Sequence, residues 1–110
     1  DFNDEESQKE MNLSSTVLKT LELLKEGLNL DAIAEERNYS KSTIENHIVE
    51  IVKNGLYEVE DFVDKEHLET ITEYFEEVGD TSLTAARDVL GDEYSFFELK
   101  LCLTKLKTEN

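Results

Sequence analysis

The chain reads as an all-α domain of about six helices, and three observations carry that reading. Apolar residues recur at helical spacing through most of its length. Each of its four glycines, Gly27, Gly55, Gly79 and Gly91, follows such a pattern, where a helix ending in a left-handed turn needs one. Proline is absent, and Ser, Asn or Asp stands ahead of most of the apolar runs as a cap.

The first helix is expected from about Ser15 to Glu26, with Val17, Leu18, Leu21, Leu24 and then Leu28 along one side. Asn29 caps a second, from about Leu30 to Arg37, and a third runs from Lys41 to about Asn54. Residues 27–51, GLNLDAIAEERNYSKSTIENHIVEI, then read as a helix-turn-helix. Ala34 is small enough for two helices to approach closely. Asn38 tolerates the left-handed backbone of a tight turn. Ser40 caps the third helix, Tyr39 has the staple spacing to Ile44, and Ile44, Ile48 and Ile51 form its inner face.

Beyond Gly55, the alternation of LYEVEDFV (56–63) suggests an extended connector or a small wing-like strand. Asp64 is the expected cap of a fourth helix with Leu68, Ile71, Phe75 and Val78 in one stripe and a Val63–Leu68 staple. A fifth covers about Leu83 to Leu90. The sixth opens on Ser95, with a Ser95-x-x-Glu98 capping box, a Tyr94–Leu99 staple, and Phe96, Leu99, Cys102, Leu103 and Leu106 on a broad face. Ser40, Ile44, Ile48 and Ile51 share the spacing of Ser95, Leu99, Leu103 and Leu106, a faint echo between the halves that coincidence also explains.

Three segments follow: an acidic flexible linker (1–13), a helix-turn-helix subdomain (14–55), and a helical C-terminal subdomain (56–110) packed as one domain with it. The chain begins DFNDEESQKE, without Met, and reads as a piece of a longer protein; Phe2 and Met11 are the apolar members of its first dozen residues. A single cysteine, Cys102, excludes an internal disulfide and fits a reducing, cytoplasmic setting. No apolar run approaches a membrane span.

Catalysis is not expected in this piece. His47 and His67 lack Cys or His neighbours at metal-ligand spacing, and there is no glycine-rich phosphate loop or nucleophile elbow. His47 reads as a helix-packing histidine and Cys102 as a small core residue.

The candidate recognition surface is the side of the third helix away from its isoleucines: Lys41, Ser42, Glu45, Asn46, Val49 and Lys53. Asn46 suits an adenine edge and Glu45 a cytosine amino group, while Arg37, Ser40, Lys41 and Lys53 are placed for phosphates. Charge opposes this. The chain carries 27 acidic and 11 basic residues, net −16. Residues 1–26 are net −4, 27–56 net −2 and 57–110 net −10, so the helix-turn-helix is the least acidic third without being basic. Alone it should bind a polyanion weakly.

Residues 14–55 resemble the helix-turn-helix domain at the C-terminal end of some bacterial RecQ-type DNA helicases. The matching elements are Glu26-Gly27, Ile33-Ala34 with Glu36-Arg37, Ser40, Thr43-Ile44 and His47-Ile48. Leu83 and Tyr94-Ser95 ahead of the leucine-rich last helix resemble its distal part, extending the likeness to about residue 106. This implies a parent that is an ATP-dependent helicase, using ATP and magnesium, unwinding DNA in repair and recombination. Its ATP site lies outside this chain, which has no cofactor of its own.

The same segment is similar to the LuxR-type output domain of transcription regulators, which usually ends soon after a more basic recognition helix; here some fifty residues follow Gly55. A third reading takes the acidic residues 57–110 as a docking module for a basic protein partner.

Overall fold

A computed structural model describes residues 13–79 and 81–109. The expected linker residues 1–12, with Phe2 and Met11, lie outside them; Leu13, the last residue assigned to the linker, is buried. Among the described residues there are six α-helices and no strand. They are α1 (Ser15–Lys25), α2 (Leu30–Arg37), α3 (Lys41–Lys53), α4 (Lys65–Val78), α5 (Leu83–Leu90) and α6 (Phe96–Glu109). The chain forms two compact units, one ending at Tyr57 and the other beginning at Glu58.

The first unit is a three-helix arrangement in which α3 packs on both α1 and α2. Its helix starts are set by short polar side chains, each covering a backbone N–H that the helix leaves unpaired. The Ser14 hydroxyl accepts from Val17 N–H (3.4 Å), Asn29 Oδ1 from Ala32 N–H (2.8 Å), and the Ser40 hydroxyl from Thr43 N–H (3.2 Å). The core holds Val17, Leu21, Ile33, Ala34, Ile44, Ile48 and Ile51. On α1 the buried line includes Thr20 and Leu23, whereas Leu18, Leu24 and Leu28 are half-buried.

The second unit repeats the order long helix, eight-residue helix, long helix, with α6 packed on both α4 and α5. Ser82 caps α5 by accepting from Ala85 N–H (3.1 Å). Both arms of the expected capping box form at α6: Glu98 N–H donates to the Ser95 hydroxyl and Ser95 N–H to Glu98 Oε1, each at 3.2 Å. Asp64 stands at the N-cap of α4 without a side-chain bond to the helix.

Three expectations need correction. Residues 56–63 form no wing: they contain a 3-10 turn, Val59–Asp61. Glu58 N–H donates to Asp61 Oδ2 (2.9 Å), and Val59 and Val63, four apart, are both buried. That helical spacing was present beneath the apparent alternation. Val78 lies outside the α4 stripe, being 51% exposed in the last turn while Leu68, Ile71 and Phe75 are buried. On α6 the buried residues are Leu99, Leu101 and Cys102, whereas Phe96 is exposed and Leu103 and Leu106 are half-buried. Leu101 lies across the helix from Leu99, so α6 is covered on two sides, by α4, α5 and the 3-10 turn. Burial pushes the Cys102 thiol up to about 12, with the Glu98 and Glu60 charges adding to the shift.

Candidate nucleic-acid interface

The bend between α2 and α3 is set by backbone chemistry. α2 ends on Asn38 in the left-handed region (φ 61°, ψ 40°), the one non-glycine residue with positive φ among those described. Tyr39 N–H returns to the Ala34 carbonyl at 2.9 Å, closing the end of α2. The Ser40 carbonyl accepts from Ile44 N–H (3.3 Å), so α3 begins three residues after α2 stops.

Behind this bend lies a polar cluster. Arg37 Nη1 donates to the Thr16 carbonyl (2.6 Å) and to Thr20 Oγ1 (2.7 Å), and Nη2 to Thr16 Oγ1 (3.1 Å). The guanidinium also lies 4.7 Å from the centroid of the Tyr39 ring. Thr20 is fully buried and His47 is 8% exposed. Thr20 Oγ1 and His47 Nδ1 are 2.7 Å apart, and the His47 and Tyr39 rings meet edge to face at 6.1 Å. Burial first, and the Arg37 charge second, hold the His47 imidazole below the ordinary histidine range.

Arg37 was expected to reach phosphate. It is instead a strut between α1 and α2, because its fork finds a carbonyl and two hydroxyls on the facing helix. His47 is the helix-packing residue that its place on α3 suggests. The roles of Thr16 and Thr20 escaped sequence reasoning. Their i, i+4 spacing puts both hydroxyls on one side of α1, but nothing local tells what faces them.

Around α3, Lys41, Ser42, Asn46, Glu50 and Lys53 are exposed and Glu45 is half-buried. Ser40 is exposed, its hydroxyl engaged with Thr43 at the cap. Lys41 Nζ lies 3.4 Å from Asp31 Oδ1, a solvated pair of little energetic weight. Val49 was expected on the outward face, yet it is only 5% exposed. At 100° per residue it lies far round the helix from Ile44, so α3 is covered on a second side. The open strip narrows to Ser42, Asn46, Glu50 and Lys53, one above another along the axis, with Lys41 at its start.

The sequence pattern of a family described as a helix-turn-helix domain matches residues 16–103. The chain belongs to that family. The helix-turn-helix domain so defined runs past α3 and takes in most of the second unit. Protein YpbB of Bacillus subtilis (strain 168) is 33% identical to the domain over 94 residues, 84% of this chain. The chain spans 27% of that relative's length. No solved structure matches it.

Proposed function

We propose that this helix-turn-helix domain is a non-catalytic accessory module that positions nucleic acid for a larger ATP-dependent DNA helicase of the RecQ type, in cytoplasmic DNA repair and recombination. The observation that carries the reading is the polar strip of α3, exposed at Ser42, Asn46 and Lys53 and held by a capped, left-handed turn. Asn46 offers the amide geometry for an adenine edge, and Lys41 and Lys53 supply the charge for phosphate. The likeness of residues 14–106 to RecQ-type C-terminal domains supports the parent's identity; ATP and magnesium belong to that parent. Continuation of the family match to residue 103 favours this reading over a LuxR-type output domain.

A net charge of −16 makes the isolated domain a poor binder. Tethering compensates, because a weak site beside a strong one acts at high local concentration. The test compares DNA binding and unwinding by the parent with and without residues 14–110, and then with Asn46→Ala and Lys53→Glu. Each substitution should weaken the domain's contribution about tenfold, the loss of one good base or phosphate contact. Binding and unwinding indifferent to the deletion would remove the proposal.

A further inference from the structure

Behind the bend, one buried hydroxyl is shared by two nitrogen groups. Thr20 Oγ1 lies 2.7 Å from Arg37 Nη1 and 2.7 Å from His47 Nδ1. A guanidinium only donates, so the Thr20 oxygen accepts from Arg37. In the arrangement assigned to this cluster, the hydroxyl's one proton goes to His47 Nδ1. This requires a neutral imidazole whose own proton sits on Nε2. A proton added at Nδ1 would set an imidazolium and a guanidinium on the same buried oxygen and expel the hydroxyl proton from its bond.

The cluster reaches every part of the motif: α1 through Thr16 and Thr20, α2 through Arg37, the turn through Tyr39 and α3 through His47. The charged or titratable groups facing His47 are Arg37 from α2 and Tyr39 from the turn, while α1 presents the uncharged Thr20 hydroxyl. On its own helix, Glu50 stands one turn further on.

We propose that Thr20, Arg37 and His47 form a proton-operated latch: protonation of His47 breaks the shared hydroxyl bond, loosens α3 from α1, and weakens nucleic-acid binding by the α3 strip. The coupling rests on the reading of that strip as a nucleic-acid surface. Bulk charge acts in the opposite direction, since acidifying a chain of net charge −16 lessens its repulsion of a polyanion. The two effects differ in sign, which makes the latch testable.

The 110-residue chain is titrated with a fluorescein-labelled mixed-sequence duplex across about pH 5 to 8, at constant ionic strength. Wild-type affinity should fall on the acid side, approaching tenfold per pH unit, the slope of one linked proton. His47→Gln keeps a neutral acceptor for Thr20 and should convert that fall into a shallow rise. Wild type and His47→Gln tightening in parallel on acidification would overturn the latch.

Histidine nitrogen NMR of the wild type gives a readout independent of DNA and of the variant's folding. The latch requires the Nε2–H tautomer at neutral pH and α1 and α3 amide shifts that follow His47, with His67 as reference. An Nδ1–H tautomer, or α1 and α3 amides indifferent to His47, overturns it whatever the DNA does. DNA binding absent at every pH, with that titration intact, overturns the nucleic-acid reading and the coupling with it.

Discussion

Arg37 shows how far a residue's role depends on what faces it. In the sequence it is one of three basic residues among residues 27–56, and phosphate is the natural partner to imagine. In the structure its fork is spent on Thr16 and Thr20. Replacing it with Ala leaves a buried hydroxyl and a carbonyl short of donors and should cost roughly 2–3 kcal/mol. Arg37→Lys should recover less than half of that, because an ammonium cannot match two facing groups with a planar fork. Urea unfolding followed by helical circular dichroism measures both. Equal stability of wild type and Arg37→Ala would show the strut to be ornamental. Val49 teaches the same lesson from the apolar side: its burial depends on tertiary cover that helical periodicity cannot report.

At the scale of elements, helix ends were the most legible part of the sequence. Ser14, Asn29, Ser40, Ser82 and Ser95 all hold backbone N–H groups at helix starts, and such chemistry is local enough to be read from neighbours. The 3-10 turn was misread because Val59, Phe62 and Val63 fit a helical period as well as the alternation of a strand does. The α2–α3 bend makes its own prediction. Asn38→Ala should destabilise by roughly 1 kcal/mol, while Asn38→Gly should be nearly neutral, since the left-handed backbone penalises a Cβ that no side-chain amide offsets. Thermal unfolding separates the two, and a costly Asn38→Gly would point to a side-chain role instead.

Between α4 and α6, His67 Nδ1 meets Glu98 Oε2 at 3.0 Å, with the Tyr94 ring 4.6 Å away. That hydrogen bond, outweighing burial and helped by the charges of Glu98, Asp64 and Glu93, holds the imidazole above its ordinary 6.5. The folded chain therefore keeps a proton that the unfolded chain loses near 6.5. This clasp stabilises fully below 6.5 and fades as pH rises through the raised folded value. Glu98→Gln should flatten that alkaline-side decline in urea midpoints, and an unchanged decline would exclude the clasp as its cause. His47 has the opposite sign: its neutral-state stabilisation is complete above 6.5 and is lost as pH falls towards the depressed folded value.

For the whole molecule, charge sets the limits. With 27 acids against 11 bases, the proposed binding to DNA would rest on few cations. Lys41 and Lys53 leave about two phosphates neutralised, so affinity should fall with salt at a logarithmic slope of about −2. A steeper slope, measured by anisotropy from low to moderate salt, would place additional cations at the interface and argue against the α3 strip as the main surface. This limit was legible from composition alone, whereas the strip's narrowness was not, because it follows from cover over Val49.

Cys102 gives the second unit a built-in reporter. It is the chain's one sulfhydryl, sealed among the α6 core residues, and its proton is held to about pH 12. A disulfide-exchange reagent at neutral pH should leave the native protein unlabelled, and the slow incorporation that does occur would time the breathing of that core.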